Sequence, residues 1–273
     1  MPELPEVETI RSKLAPVLVG QHIRSIVVRR ADLRQPVPND LAERLLGQCL
    51  LAIRRRSKYL LFDFASGDSL ILHLGMSGRI YFTPIDAPLH KHDHLLFDFL
   101  GGQHLRFRDP RRFGLALLHR TSELETHPLF SKLGPEPLSA DFDAAVLFGL
   151  LKSSQAPVKT VLMDATKVVG VGNIYANEAL FMAGIRPSRR ANRVTKAETC
   201  RLHMAIKNVL KASIEAGGTT FRDYVAPDES PGLHRLALAV YDREGQSCLQ
   251  CGNKVLRATW GQRGSFYCSR CQI

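Results

Sequence analysis

Four cysteines near the C-terminus carry the plainest chemical signal. Cys248, Cys251, Cys268 and Cys271 read C-x2-C, sixteen residues, C-x2-C. Two such knuckles can hold four thiolates tetrahedrally around one divalent ion, and the spacing falls in the class used by closed structural zinc sites. One structural Zn²⁺ is therefore expected. Cys49 and Cys200 stand alone in apolar patterns and read as ordinary buried thiols.

The other end of the chain offers a different chemistry. Removal of Met1 would free the secondary amine of Pro2. An α-amino group titrates near roughly 7.7–8.0, so a useful fraction is unprotonated at neutral pH and can attack an electrophilic carbon to give an iminium. Glu3 stands beside it as a general acid or base. The same residues also suit a plain helix start, with Pro in the first turn and acidic groups at the positive helix end. The residues alone leave both readings open.

Positive charge gathers in three places: Arg54-Arg55-Arg56-Ser57-Lys58, then Arg106, Arg108, Arg111 and Arg112, then Arg186, Arg189, Arg190, Arg193 and Lys196. With Lys254, Arg257, Arg263 and Arg270 around the cysteines, they suggest a phosphate-binding face. Asp109-Pro110-Arg111-Arg112-Phe113-Gly114 is a stiff turn offering an Arg and an aromatic ring together. Such a pair can read a base edge and wedge a base stack, or Phe113 can simply fill a core. Gly170-Val171-Gly172-Asn173 precedes a helix, where it fits a phosphate cradle capped by Asn173 or a tight turn between helices.

Composition agrees with a polyanionic partner. The 273 residues carry 37 Lys and Arg against 26 Asp and Glu, a formal charge of +11. A hydrophobic content of 45% suits a folded chain of about two domains. No apolar run approaches the roughly 18 residues of a membrane span. The acidic start is unlike a signal or transit peptide, which points to the cytoplasm and to reduced thiols.

These groups need elements to place them. Residues 4–18 read as a helix with Val7, Ile10, Leu14 and Leu18 on one face. Short strands are expected at 22–30, 48–56, 58–64, 69–75, 79–83, 94–99, 103–108 and 113–119, a sandwich or barrel. Helices are expected at 141–152, 157–164, 174–183 and 195–216, then a loop-like stretch at 219–239 and the cysteine module.

Met1 to Thr9, Lys58-Tyr59-Leu60-Leu61, His73 to Gly78, Lys91-His92-Asp93-His94, Asp109 to Gly114, Leu133 to Leu138, Val169 to Glu178 and the four cysteines together resemble the bacterial formamidopyrimidine-DNA glycosylases, which excise 8-oxoguanine. The resemblance runs through the whole chain, in order. It implies an α+β multidomain protein: an N-terminal helix with a β-sandwich at 1–132, a helix–two-turns–helix domain at 133–224, a lesion-recognition loop at 225–239 and a zinc finger at 240–273.

The resemblance also implies roles. Pro2 is the nucleophile at C1′, and Glu3 is the acid/base at the sugar. Lys58 serves β-elimination and Arg263 serves δ-elimination, each also gripping phosphate. Met76, Arg111 and Phe113 fill the void left by the extruded nucleotide, with Arg111 on the orphaned cytosine. His73, His92, Lys159, Asn173 and Tyr241 match positions for DNA backbone or site contacts. Glu6 and Gly217–Tyr224 resemble the surroundings of the extruded base. The partner is damaged double-stranded DNA, bound by a monomer at the nucleoid, with no membrane and no organic cofactor.

The chain departs from the pattern in places. Asp242 stands where Gly is usual, Ser247 where Pro is usual, and Ser154 where relatives carry a basic group. Gly232-Leu233-His234 lacks the aromatic often found over the flipped base. Two alternatives follow: an endonuclease VIII-like enzyme for oxidised pyrimidines, against which Met76, Arg111 and Phe113 speak, and a non-catalytic zinc-dependent DNA-binding protein if Met1 is retained.

Overall fold

The computed structural model describes residues 2–219 and 237–273, so most of the expected lesion loop at 225–239 lies outside the described residues. The chain divides into two compact units, Met1–Ser131 with Ala216–Leu233 and Lys132–Glu215 with His234–Ile273.

The first unit opens with α1 (Leu4–Leu18), with Pro in its first turn and Val7, Ile10, Leu14 and Leu18 buried. Then come β1 (Ile23–Val28), a short α2 (Leu41–Leu45), β2 (Leu50–Arg56), β3 (Tyr59–Phe64), β4 (Asp68–His73), β5 (Arg79–Phe82), β6 (Asp93–Phe99), β7 (His104–Arg108) and β8 (Leu115–Arg120). They form two antiparallel four-stranded sheets, ordered β1-β6-β7-β5 and β2-β3-β4-β8. Alternate residues such as Ile53, Leu60, Phe62 and Leu72 of one sheet share a core with Leu95, Phe97, Leu105 and Phe107 of the other, and α1 joins that core. This two-sheet packing, with alternate strand residues in the shared core, is the expected sandwich.

All eight expected strands are present, with ends shifted by a few residues. The short α2 and the 3₁₀ turn at Thr121–Thr126 were not anticipated. Both are too short for a helical period to register in sequence.

The second unit contains α3 (Ala144–Lys152), α4 (Val158–Met163), α5 (Asn173–Ala183), α6 (Lys196–Glu215) and a hairpin of β9 (Leu256–Trp260) and β10 (Arg263–Tyr267). The side chain of Asp143 caps α3 by accepting the Val146 N–H at 2.8 Å. Gly184 ends α5 at φ +72°, a left-handed position natural to glycine. Gly261 and Gln262 both take positive φ, +58° and +59°, which makes the tight β9–β10 turn.

Candidate active site and nucleic-acid interface

In the first unit, the first turn of α1 fixes the N-terminal pair. The Glu3 N–H donates to one Glu6 carboxylate oxygen at 2.8 Å, and the other accepts the Thr219 N–H at 2.9 Å. Pro2 and Glu3 are both buried. Glu6 is thus the clasp that holds the backbone of the Pro2-Glu3 segment in place.

Lys58 sits in the two-residue turn between β2 and β3, where Ser57 takes φ +55° and Arg56 pairs with Tyr59. No described residue accepts a hydrogen bond from its ammonium. His73 ends β4, directly paired with Tyr59, and the two rings lie 4.8 Å apart. Its Nδ1 accepts the Gly75 N–H at 3.0 Å, so the neutral ring carries its proton on Nε2. Burial, and after it the cations of Arg34 and Lys58, push His73 down to about 4 against the pull of Asp109. At neutral pH the ring is an uncharged N–H donor among cations.

The unfolded chain titrates this ring near 6.5, so between pH 6.5 and about 4 it takes up a proton that the folded chain refuses. Stability is expected to fall by about 2 kcal/mol across that window, less than the full pKa difference implies because the ring is partly exposed. In His73→Gln this part of the pH dependence is expected to vanish. Denaturant melts of both proteins at pH 7, 5.5 and 4 check it.

Two loops build the candidate wedge. Asp109 is fully buried, and its carboxylate accepts from Ser77 Oγ at 2.8 Å and from the Gly114 N–H at 2.7 Å. That closes the turn which leaves Arg111 and Phe113 exposed, with the guanidinium stacked 4.7 Å from the ring centroid. Gly75, in the loop that carries Met76, lies against this turn. A Cβ there would stand 2.4–2.6 Å from the Phe113–Gly114 peptide, so only glycine permits the approach. Met76 is partly buried beside it. Phe113 is 45% exposed, so of its two readings the surface ring is the one realised.

Ion pairing sorts the basic clusters. Arg54 is held by Asp63, and Arg55 by Glu8 at 2.9 Å. Arg108 pairs with Asp93 at 2.7 Å, and Arg106 is 1% exposed, donating to the carbonyls of Ala87 and Pro88 at 2.7 and 2.8 Å. Arg106 and Arg108 therefore brace the fold instead of facing phosphate. Both point to the same face of β7, where Ala87, Pro88 and Asp93 of the preceding segment meet them. The same segment carries His92, whose ring lies 6.0 Å from that of His94. Lys58, Arg111 and Arg34 keep uncommitted cations, with no acceptor among the described residues.

In the second unit, the residue that caps the start of α5 is Gly172, not Asn173 as expected, and Asn173 is the first helical residue. The Asn173 Oδ1 is buried with no hydrogen-bond partner among the described residues. Glu178 of α5 gathers the N–H groups of Ala239, Val240 and Tyr241 at 2.8, 3.0 and 2.8 Å, and so sets the segment that presents Tyr241. The neighbouring Asn177 accepts the Phe266 N–H of β10 at 2.8 Å.

Lys159 is 1% exposed, and its ammonium donates to Gly264 O and Ser265 Oγ, each at 2.7 Å. It meets the strand that begins with Arg263, whose own side chain is exposed and without an acceptor among the described residues. Lys159→Met leaves that carbonyl and hydroxyl without their donor, a cost of about 1–3 kcal/mol. A lower thermal midpoint and a loss of DNA affinity similar to that of Arg263→Ala are the expected results.

Cys248, Cys251, Cys268 and Cys271 bring four sulfurs within 4.8 Å of one another. Cys251 and Cys268 stand 3.5 Å apart, and Cys248 and Cys271 3.8 Å. Four thiolates at about 2.3 Å from a central Zn²⁺ would stand about 3.8 Å apart, so the donor set fits a tetrahedral ion. It does not fit disulfides, whose sulfurs sit about 2 Å apart. Burial and the three neighbouring sulfurs push the Cys271 thiol up to about 12, crowding that a divalent cation relieves.

A β-sandwich unit with a pinned N-terminal segment and a helical unit that carries a four-cysteine cluster define a multidomain α+β protein with a metal-binding module. Family models for the formamidopyrimidine-DNA glycosylase N-terminal domain and H2TH domain match residues 1–116 and 133–225. Formamidopyrimidine-DNA glycosylases of Stenotrophomonas maltophilia (strain R551-3) and Xanthomonas campestris pv. campestris (strain B100) are 51% and 49% identical over 272 residues, covering 100% of both chains in each case. A crystal structure of a Lactococcus lactis Fpg variant with Fapy-dG-containing DNA matches with TM-score 0.93 and 36% identity, covering 99% of each chain. The MutM (Fpg) protein from Thermus thermophilus matches with TM-score 0.88 and 41% identity, over 99% of this chain and 98% of that one. The chain belongs to the formamidopyrimidine-DNA glycosylase family. Among the described residues, no helix is long and apolar enough to cross a membrane.

Two contributors escaped sequence reading. Glu178 is one acidic residue in a helix, and nothing local shows that it receives three backbone donors. Arg34 lies in an irregular loop with no motif around it.

Proposed function

We propose that the protein excises oxidised purines, 8-oxoguanine and formamidopyrimidines, from duplex DNA and then cuts the strand on both sides of the emptied sugar. The observation that carries this reading is the contrast between paired and unpaired cations. Lys58, Arg111 and Arg263 have no acceptor among the described residues, although the chain holds enough carboxylates to brace Arg54, Arg55 and Arg108. Donors left open in this way suit phosphate and base edges.

The Pro2 nitrogen attacks C1′ of the extruded nucleotide, the bond to the base breaks, and the base leaves with a proton. Opening of the sugar ring puts the former ring oxygen on C4′ as a hydroxyl and leaves an iminium on Pro2. Glu3 moves protons at the sugar in these steps. The iminium acidifies C2′–H, whose loss expels the 3′-phosphate. A second elimination expels the 5′-phosphate. Lys58 and Arg263 grip the phosphates as they leave, which stabilises their developing charge.

Met76 and Phe113 occupy the gap in the stack, and Arg111 pairs with the widowed cytosine. His73, His92, Asn173 and Tyr241 position the backbone, and Lys159 acts through the hairpin that carries Arg263. The cysteines hold one Zn²⁺, which keeps the finger at 240–273 in shape. The enzyme works on chromosomal DNA in the cytoplasm.

Borohydride tests the central step. Reduction of the iminium is expected to give a stable protein–DNA adduct with an 8-oxoguanine:cytosine duplex. No adduct from protein shown by intact mass to begin at Pro2 would overturn the reading.

A further inference from the structure

The loop between β1 and α2 carries an arginine with no structural employment. Its neighbours are all engaged. Arg29 donates to the carbonyls of His90 and Asp93, each at 2.9 Å, and Asp32 takes both Arg30 and Arg112 at 2.6 Å. Leu33 and Val37 are buried and pin the loop to the core on either side. Between them Arg34 is exposed, and no described residue accepts a hydrogen bond from its guanidinium. Its backbone N–H, however, donates to Gly114 O at 3.1 Å, at the end of the turn that presents Phe113. Its charge is felt at His73 and at Tyr59, the residue that follows Lys58.

Arg34, Lys58 and His73 Nε2 are therefore three donor groups in one neighbourhood. The carboxylate that acts on His73, that of Asp109, already accepts from Ser77 and Gly114. A phosphodiester offers acceptors only and carries a negative charge, which suits a site built wholly of donors, two of them cationic. We propose that Arg34 binds a DNA backbone phosphate beside the lesion, forming one phosphate shelf with Lys58 and His73 that is tied through Gly114 to the wedge turn. This rests on the function proposed above and adds a residue to its site.

The test uses the full-length protein and a short duplex carrying a tetrahydrofuran abasic analogue. Affinity is measured from low to high salt for wild type, Arg34→Ala and Arg34→Lys. The slope of log affinity against log salt is expected to be shallower by about 1 in Arg34→Ala, with affinity about tenfold weaker at low salt, and restored in Arg34→Lys. Replacing single phosphates by methylphosphonates then locates the contact. One position is expected to weaken wild type but to cost Arg34→Ala nothing further.

The His73 titration, followed by NMR, is expected to move up in Arg34→Ala, because a nearby cation has gone. A loop that merely lost packing would not shift it so. An unchanged salt slope, or equal sensitivity of wild type and Arg34→Ala to every methylphosphonate, overturns the proposal. If wild type itself fails to bind the duplex, the proposed function falls instead.

Discussion

Pro2→Gly is expected to slow excision of 8-oxoguanine by on the order of 100-fold or more, with affinity for an abasic-analogue duplex changed by no more than about threefold. Glycine keeps an amine at the chain start, so the test separates kinds of amine instead of deleting the nucleophile. A secondary amine gives an iminium that has no N–H to lose and stays cationic at every pH. A primary amine gives an imine that must be protonated before it can draw electrons from C2′–H. The change also removes a buried ring next to Glu3, whose N–H is held by Glu6, and so loosens the approach to C1′. Single-turnover excision and equilibrium binding, measured on the same preparation, check the split. Equal losses in both would mean that Pro2 serves only to shape the helix start.

Removal of the metal is the second large effect. The Cys248–Cys271 module sits on a small core, in which Val255 and Phe266, with Val240 and Phe181 of α5, pack around Cys248 and Cys268. Structural Zn²⁺ in comparable peptides supplies about 10–16 kcal/mol, far more than so few apolar side chains can. Chelation, or Cys268→Ser, is expected to melt the β9–β10 hairpin and free the strand that carries Arg263 from the bonds of Gly264 to Lys159 and of Phe266 to Asn177. DNA affinity is then expected to fall by about tenfold or more at moderate salt, since the finger's phosphate contacts go together. Metal analysis, the salt slope and the ratio of β- to δ-elimination products check it. Full affinity and normal δ-product after verified metal loss would separate the finger from DNA.

Sequence reading recovered the elements far better than their neighbourhoods. The α1 stripe of Val7, Ile10, Leu14 and Leu18 and the alternation of the strands are local patterns, and each stands where expected. The cysteine cluster was equally legible, because its spacing encodes its geometry. Burial of charge was not. Lys159 finds its acceptors more than a hundred residues away in sequence, and Arg106 is enclosed by backbone carbonyls of a loop with no regular pattern. Both read as surface cations until the chain is folded. Arg34 is the converse: unremarkable among nearby arginines, it stands out only once the others are seen to be paired.

The close seat of Gly75 on the Phe113–Gly114 peptide has one more consequence. Two loops seated at that distance must move together, so the wedge proposed for Met76 and Phe113 exists in finished form before DNA arrives. The protein then spends little ordering entropy on each base pair it tests. What differs between a sound pair and a damaged one is the DNA's own reluctance to open, a few kcal/mol that the lesion lowers. Discrimination at this step is thereby delegated to the substrate, and a rigid blade can sample many pairs quickly because almost nothing in it has to move.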